Sequence, residues 1–277
     1  MRILLTNDDG IRADGLEALC EVLTGSDPEY PSPFASEMLV VAPETVQSAT
    51  SHGITFSTPI MAQELPPTSG PRRVAVDGRP ADCVKIALSA IWRDHFGADS
   101  RPDLVLSGIN SGANAGINVL YSGTVAAAIE AAFLGVPSIA LSLHVGGQSP
   151  DWVGAARRTR RVLELLLAPG LPRPHECLSV NFPKQPFSNA EDDRSKFPEV
   201  VVCPMNVHGM NDRYERRVSP KGQTYYWLSG AGLDFTQTDP NSDVAHLLAG
   251  RITVTPLHYD LSRDSSMEWW RDICNGH

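Results

Sequence analysis

The sequence predicts an α/β protein with a doubly wound, mostly parallel sheet and a β-rich C-terminal extension or hairpin. Two observations predict this fold class. In the first half of the chain, short apolar runs typical of buried strands alternate with longer segments whose apolar residues repeat at helical spacing. Such alternation is the pattern of βαβ units, in which a helix carries the chain back to begin the next parallel strand. The architecture is therefore Rossmann-like.

Four short apolar runs are the predicted strands of this core. They cover residues 3–5, 38–41, 104–106 and 138–141. Three predicted helices follow from apolar residues that recur on one face. These sets are Leu16, Leu19, Cys20 and Leu23; then Val84, Ala87, Leu88 and Ile91; then Val125, Ala128, Ile129, Ala132 and Phe133.

A fourth helix is predicted over residues 152–167, with an inner apolar stripe. The stripe consists of Val153, Ala156, Val162 and Leu166. The same segment holds the densest basic stretch of the chain, residues 157–161. We expect these arginines to lie on the solvated face of the helix.

The amino-acid composition changes beyond about residue 185, where Pro, Asn, Asp and Ser become frequent. Extended runs at 200–203 and 225–228 predict strands, and residues 219–222 predict a turn between extended arms. We expect two regions: a core over residues 1–184, and a β-rich extension over 185–277 that packs on it. The aromatic residues of this second region suit either a core or a subunit interface.

Composition excludes several classes of protein. A chain of 277 residues with 42% hydrophobic content is globular. Its net charge of −9 and its lack of a long basic run argue against a nucleic-acid surface. Five scattered cysteines indicate reduced thiols. No signal peptide or membrane-spanning stretch is evident, so we expect a cytoplasmic protein with no membrane partner.

The first strand runs directly into two adjacent carboxylates, Asp8 and Asp9, between Asn7 and Gly10. Neighbouring like charges disfavour each other's ionisation, so such a pair at the carboxyl end of a parallel strand implies a compensating cation. A hard divalent metal is the simplest candidate. The alternative is a solvated turn in which these residues only satisfy tight backbone angles.

Polar residues also follow the strand at 104–106. Asn110 and Asn114 alternate with glycines, and Ser122, Gly123 and Thr124 come just where the next helix begins. Free amides at a helix start together with two hydroxyls suit a phosphate group. The alternative is that Ser122 or Thr124 is only a helix cap.

A third polar segment follows the strand at 38–41 and includes Ser48 and His52. A serine oxygen there can complete a metal shell begun by carboxylates and an asparagine carbonyl, although an ordinary loop hydroxyl is the alternative. Neither a Gly-Lys-Ser/Thr phosphate loop nor a compact Gly-x-Gly-x-x-Gly is present, so triphosphate hydrolysis and NAD chemistry are not favoured.

Together these segments resemble the SurE survival-protein family of metal-dependent 5′/3′-nucleotidases. The resemblance covers nearly the whole chain. The matching stretches are residues 3–10, 41–43 with Ser48, 82–84, 102–110, 121–125, 180–183, 226–230, 242–244 and 253–257. Two positions depart from the family pattern: Arg79 stands where threonine is usual, and Ala49 where glycine is common. Both departures bear on substrate preference.

The resemblance implies a nucleotidase that releases phosphate from nucleoside 5′-monophosphates, and also from 3′-monophosphates and short polyphosphate. It implies one divalent metal ion per subunit, Mg, Mn or Co, and homodimers or homotetramers formed through the C-terminal segment. The implied metal ligands are Asp8, Asp9, Ser48 and Asn110, the implied catalytic residues are Asp8 and Asp9, and the implied phosphate-binding residues are Asn114, Ser122, Gly123 and Thr124.

Several alternatives stay open at the level of sequence. Asp8 or Asp9 is either the base that activates water or a nucleophile that forms an aspartyl phosphate. His52 is a surface imidazole or the acid that protonates the leaving alcohol. The competing functions are a nucleotide-sugar transferase and a non-catalytic nucleotide-binding module.

Overall fold

The computed structural model describes residues 1–67, 70–147, 149–184, 197–229 and 232–275. Its strands are β1 Arg2–Thr6, β2 Glu37–Pro43, β3 Met61–Glu64, β4 Arg72–Asp77, β5 Leu104–Ser111, β6 Ser138–Leu143, β7 Cys177–Phe182, β8 Val200–Val202, β9 Arg213–Val218, β10 Thr224–Ser229 and β11 Ile252–Leu257. Its α-helices are α1 Asp14–Thr24, α2 Pro80–Ile86, α3 Trp92–Phe96, α4 Gly123–Phe133, α5 Trp152–Leu167, α6 Asp243–Leu248 and α7 Asp264–Asn275.

Nine strands form one mixed sheet in the order β3-β4-β2-β1-β5-β6-β7-β11-β8. The six strands from β4 to β7 in this order are all parallel to their neighbours. Antiparallel pairs occur only toward the two edges, at β3–β4 and at β7–β11. The predicted doubly wound, mostly parallel sheet is confirmed.

Helices cover both faces of the sheet. Helices α1 and α5 pack together on one face, and α2 and α4 pack together on the other. The central strands are therefore apolar on both sides, and Ile3, Leu4 and Leu5 of β1 are completely buried. This double coverage explains why the predicted strands appear in the sequence as continuous apolar runs rather than as alternating ones.

The chain reverses its direction of winding beside β1. It passes from β1 to β2 and β4 on one side, and then returns to add β5, β6 and β7 on the other side. The crevice between the carboxyl ends of β1 and β5 is therefore a topological switch point, the place where open α/β sheets bind ligands. The segments that begin at Asn7 and at Ser111 leave the sheet here.

The predicted core elements match the structure closely. Each of the four predicted strands lies within β1, β2, β5 or β6, and the predicted helix over 152–167 coincides with α5. In the second region, β8 and β10 confirm the strands predicted near residues 200 and 225, and a turn at 219–222 joins β9 to β10. Nothing in the local pattern predicted the helices α6 and α7.

Two strands from beyond residue 184 belong to the central sheet. Strand β11 pairs antiparallel with β7 and parallel with β8. The sheet thus continues across the boundary expected at residue 184, because the edge of β7 is completed by chain that is distant in sequence. The hairpin β9–β10 forms a separate two-stranded sheet, and helix α7 lies near the C-terminus.

The basic stretch of α5 was predicted to face solvent, and for Arg160 this was wrong. Its side chain is buried and donates hydrogen bonds to the carbonyls of Val22 and Ser32, at 3.2 and 3.3 Å. It also pairs with Glu164 one turn further along the helix. Helical spacing assigned this arginine to the outer face, but α1 and the loop after it pack over that position.

None of the helices in the described part of the chain has the length and the apolar character needed to cross a lipid bilayer.

Candidate active site

The turn after β1 holds Asp8 and Asp9 in place. The side-chain amide of Asn7 donates to the carbonyl of Gly10 at 2.9 Å, and its carbonyl oxygen accepts the Gly10 N–H at 3.2 Å. Both bonds are buried. Asn7 therefore has the structural role expected of a turn residue, and the two aspartates are presented from a turn whose shape is fixed.

Asp8 lies against the first turn of α4. The hydroxyl of Thr124 donates to Asp8 Oδ1 at 2.5 Å. A β-carbon placed on Gly123 would lie 2.9 Å from Asp8 Oδ2, so only glycine lets the helix approach the carboxylate this closely. Thr124 is 116 positions from Asp8 in sequence, and the structure brings this residue and the neighbouring Gly123 against the Asp8 carboxylate.

Asp9 is bound to the segment that follows β5. Its Oδ2 accepts the backbone N–H of Ser111 at 2.8 Å. The preceding residue, Asn110, donates its side-chain amide to the carbonyl of Gly112 at 2.8 Å. With the amide nitrogen committed, the side-chain oxygen of Asn110 has no hydrogen-bond partner within the described ranges. That oxygen is available to a ligand.

Burial makes both carboxylates costly to ionise. Burial raises the pKa of Asp8 to about 6; the Thr124 hydrogen bond opposes this shift, and the charge of Asp9 adds to it. Burial also raises the pKa of Asp9, although the hydrogen bond from the Ser111 N–H acts in the opposite direction. No described Lys, Arg or His forms an ion pair with either group. The pair therefore lacks the positive charge that would stabilise it.

The chemistry of the available donors fits a hard cation. The described residues contain no group of three or more His, Cys, Asp or Glu side chains that could hold a metal. The site instead offers two carboxylates and neutral oxygens, which are the ligands of Mg²⁺, Mn²⁺ and similar ions rather than of a zinc centre.

Ser48 lies on the loop between β2 and β3, residues 44–60. The N–H of Gln47 donates to the backbone carbonyl of Asp8 at 2.8 Å, which brings this loop to the edge of the site. Further along, Ser51 bonds the carbonyls of Leu120 and Tyr121, at 2.6 and 3.1 Å. Ser48 itself is exposed, and its hydroxyl forms no hydrogen bond to another described residue.

The side chain of His52 forms a hydrogen bond to a buried carboxylate. Its Nε2 lies 2.8 Å from Glu130 of α4, and the Lys85 ammonium donates to the other oxygen of Glu130 at 2.8 Å. Burial raises the pKa of Glu130, but these two partners outweigh burial and bring it below its usual value. His52 therefore fastens the β2–β3 loop to α4, a role that neither sequence interpretation of this residue included.

Asn114 and Ser122 have partners of their own. The amide of Asn114 donates to Ser142 at the end of β6, at 2.9 Å, and its backbone N–H donates to the side chain of Asn181 at the end of β7. The hydroxyl of Ser122 accepts the N–H of Val125 at 3.1 Å, so Ser122 is the N-cap of α4. Neither side chain contacts Asp8 or Asp9.

Ser142 and Asn181 were missed by sequence reasoning. Both are completely buried polar residues near the carboxyl ends of parallel strands, and that position is the signal that could have found them.

The comparisons with known proteins show the family to which this chain belongs. The family model described as "Survival protein SurE" matches residues 3–208. The chain belongs to the SurE family. A protein of Carboxydothermus hydrogenoformans named "5′-nucleotidase SurE" is 40% identical over 95% of this chain and 92% of its own length. A protein of the same name from Rhodopirellula baltica is 40% identical over 98% of both chains.

A solved structure resembles the fold over nearly its full length. The crystal structure of the SurE protein from Aquifex aeolicus has a TM-score of 0.76, 30% sequence identity and 99% coverage of both chains. The overall fold of this chain is therefore similar to that of a solved SurE protein.

The first prediction concerns Ala49, which has a left-handed backbone with φ of 54°. This conformation costs an L-residue about 1–2 kcal/mol, and glycine avoids it at a smaller entropic cost. We expect Ala49→Gly to raise the free energy of unfolding by about 1 kcal/mol. Urea denaturation of the variant and the wild type measures this difference in the free energy of unfolding. The same substitution at the exposed strand residue Ala62 should lower stability, and a loss in both variants would contradict the explanation.

The second prediction concerns Asp8. The pKa of about 6 in the folded chain lies above the ordinary 3.8, so the folded state binds this proton more tightly than the unfolded one. The resulting stabilisation is present below pH 4 and is lost as the pH rises to 6. Above that range the ionised Asp8 carboxylate lowers the free energy of unfolding by about 3 kcal/mol. In chelator at pH 8, Asp8→Asn should therefore be more stable than the wild type.

The difference in free energy of unfolding between Asp8→Asn and the wild type should become smaller as the pH falls from 6 to 4. The exposed Asp99 is the matched control, because Asp99→Asn should change stability by less than about 0.5 kcal/mol at every pH. A variant Asp8→Asn that is less stable than the wild type at pH 8 without metal would refute this electrostatic account.

Proposed function

We propose that this chain is a metal-dependent 5′-nucleotidase that hydrolyses nucleoside 5′-monophosphates to nucleoside and phosphate. The observation that carries the proposal is the contact between Asp8 and the first turn of α4. It joins paired carboxylates to a helix N-terminus, and so combines a cation site with an anion site. The curated SurE relatives named as 5′-nucleotidases support the same reaction.

The proposal extends to nucleoside 3′-monophosphates and short polyphosphate as further substrates. The phosphate site is formed by the start of α4, which contacts only the phosphoryl group and not the rest of the substrate. The identity of the group attached to the phosphate is therefore set by the surrounding loops.

We assign one divalent cation, Mg, Mn or Co, to Asp8, Asp9, Asn110 and Ser48. The supporting observations are the two carboxylates without a cationic partner and the side-chain oxygen of Asn110 turned away from its hydrogen-bonded amide. When bound, such an ion supplies positive charge near the scissile phosphate and acidifies water. Metal dependence is a general property of the SurE family.

The residues of the chain have distinct parts in the proposed reaction. The N–H of Gly123 and the positive end of α4 orient the phosphoryl oxygens and stabilise the negative charge of the transition state, while the backbone N–H of Thr124 donates to the Asp8 carboxylate. Ser122 fixes the position of that turn as its cap. Asn114 supports the segment after β5 by linking it to β6 and β7.

Asp8 and Asp9 also supply the proton acceptor. Burial raises both pKa values toward neutrality, which suits a carboxylate that takes a proton from attacking water. Asp9 is the less buried of the two and does not carry the Thr124 hydrogen bond, so we assign the base role to Asp9 and the anchoring role to Asp8. Water gives a proton to Asp9 as its oxygen attacks the phosphorus, the bond between the phosphorus and the ester oxygen breaks, and that ester oxygen takes a proton from solvent to leave as the nucleoside hydroxyl.

We propose a homodimer or homotetramer formed through the C-terminal segment. Helix α7 buries none of its residues within the chain, although Trp269, Trp270 and Ile273 lie on it. The hairpin β9–β10 is likewise exposed along its whole length and carries Tyr226 and Trp227. Apolar surfaces of this kind support an interface with another subunit.

We place the protein in the cytoplasm. All five cysteines are free, and four of them are buried, which suits a reducing compartment.

The third prediction tests the reaction. Phosphate release from nucleoside 5′- and 3′-monophosphates should disappear after chelation and return when Mg or Mn is added. Asp9→Asn should lower kcat by about a hundredfold or more, because it removes a ligand and the base together. Asp99→Asn, an exposed carboxylate before β5, should retain wild-type turnover.

The outcome that would overturn the proposal is the absence of phosphate release from the wild type with any of these metals. Transfer of a sugar from a nucleotide-sugar donor would then identify the transferase alternative. Binding of nucleotides without any turnover would identify a non-catalytic module.

The fourth prediction tests the assembly. Light scattering should give the wild type a mass of at least twice 30.0 kDa. The double substitution Trp269→Ser with Trp270→Ser should shift the mass toward the monomer and leave the sheet folded, because neither ring is buried within one chain. A wild type that remains at the mass of one chain across micromolar concentrations would refute the interface.

A further inference from the structure

Arg79 lies beside the proposed phosphate site but contacts none of its residues. It is the N-cap of α2, and the ring of the next residue, Pro80, forms part of the wall of the site. A β-carbon on Gly123 would lie 3.0 Å from Pro80 Cγ and 2.9 Å from Asp8 Oδ2. Arg79 is therefore one residue removed from a wall that borders the Asp8 carboxylate.

The guanidinium of Arg79 extends along the β2–β3 loop. Its Nη1 donates a long bond of 3.4 Å to the carbonyl of Ile54. It also passes directly over Gly53, where any side chain would collide with it. The loop thus leaves room for the guanidinium and directs it along the rim of the site.

Asp82 fixes this part of the loop against α2. Its carboxylate is completely buried and accepts the N–H and the hydroxyl of Thr55, at 2.8 and 2.7 Å, together with the backbone N–H of Arg79 at 3.0 Å. These donors come from the backbone and a hydroxyl, and none comes from the guanidinium. Asp82 is a positioning residue that holds Arg79 and the loop in one arrangement.

The charge of Arg79 is not balanced within the described residues. Other arginines of the chain form ion pairs, such as Arg72 with Glu64 and Arg157 with Asp27. Arg79 forms no ion pair with any described carboxylate, and its side chain is exposed. In a chain of net charge −9, an exposed cation that is close to a proposed anion site and has no described carboxylate partner attracts a further anionic group of the ligand.

We propose that Arg79 binds a second phosphate group of the substrate, so that nucleoside 3′,5′-bisphosphates are better substrates than nucleoside monophosphates. This inference rests on the nucleotidase function proposed above. One phosphate is hydrolysed between the paired aspartates and α4, while the other is held by the guanidinium. The planar fork of arginine suits phosphate, and binding there lowers KM without taking part in the chemistry.

Arg79→Ser is the variant that isolates this role. Residue 79 has the extended backbone of an N-cap, and serine is a favoured residue at that position, so the substitution removes the cation while supporting α2. Arg79→Lys keeps the charge without the fork. The matched control is Arg101→Ser, since Arg101 is also exposed and bonds a carbonyl, that of Leu134, at the opposite end of α4.

The experiment measures kcat and KM for adenosine 5′-monophosphate and adenosine 3′,5′-bisphosphate with added Mn. The wild type should have the lower KM for the bisphosphate. Arg79→Ser should raise that KM about tenfold or more and leave kcat unchanged, while the monophosphate KM changes less than about threefold. Arg79→Lys should recover part of the loss, and Arg101→Ser should match the wild type.

Two results would overturn the inference while leaving the nucleotidase function intact. One is a wild type that shows no preference for the bisphosphate. The other is an equal change for both substrates in Arg79→Ser, which would mean that Arg79 acts on the shared nucleoside or on the scissile phosphate.

If the wild type releases no phosphate from either compound, the proposed function itself is wrong. Calorimetric titration of the two compounds into the wild type and Arg79→Ser then tests the binding role separately. A bisphosphate affinity that falls about tenfold in the variant supports it, and an unchanged affinity refutes it.

Discussion

The site depends on one contact, in which Asp8 lies under the first turn of α4 and accepts the Thr124 hydroxyl. The Asp8 carboxylate is buried at this contact without a cationic partner among the described residues, and burial raises its pKa although the Thr124 hydrogen bond opposes the shift. The contact also joins a negative group to a helix start that favours anions. The two halves of the proposed phosphate-ester site, one for a cation and one for a phosphoryl group, are thus joined by this buried interaction.

The sheet makes that contact possible. Because the winding reverses beside β1, the segments after β1 and β5 emerge side by side, and the backbone of Ser111 reaches Asp9. The loop after β2 completes the rim through Gln47, and His52 fastens the same loop to Glu130 of α4. The rigid core therefore positions the carboxylates, while the exposed β2–β3 loop lies at the edge of the site, a common place for residues that select a ligand.

Much of this was predictable from sequence, and the exceptions share a cause. The strands β1, β2, β5 and β6 and the helix α5 follow from local apolar patterns, and the family resemblance picked out Asp8 and Thr124. The burial of Arg160 did not follow, because elements distant in sequence pack over it. The partner of His52 did not follow either, since Glu130 is an unremarkable residue of an apolar helix until the fold brings them together.

The sequence by itself determined the class of fold, the membership of the SurE family and the oxygen-rich residues that follow each central strand. Those properties are local, because hydrophobic period and short motifs are set by near neighbours along the chain. Only the tertiary structure decided which of those residues meet, that Ser122 caps α4, and that Arg79 lies near the Asp8 carboxylate without an ion pair to a described carboxylate. Burial and hydrogen bonding between distant segments arise only when the sheet assembles, so no local pattern contains them.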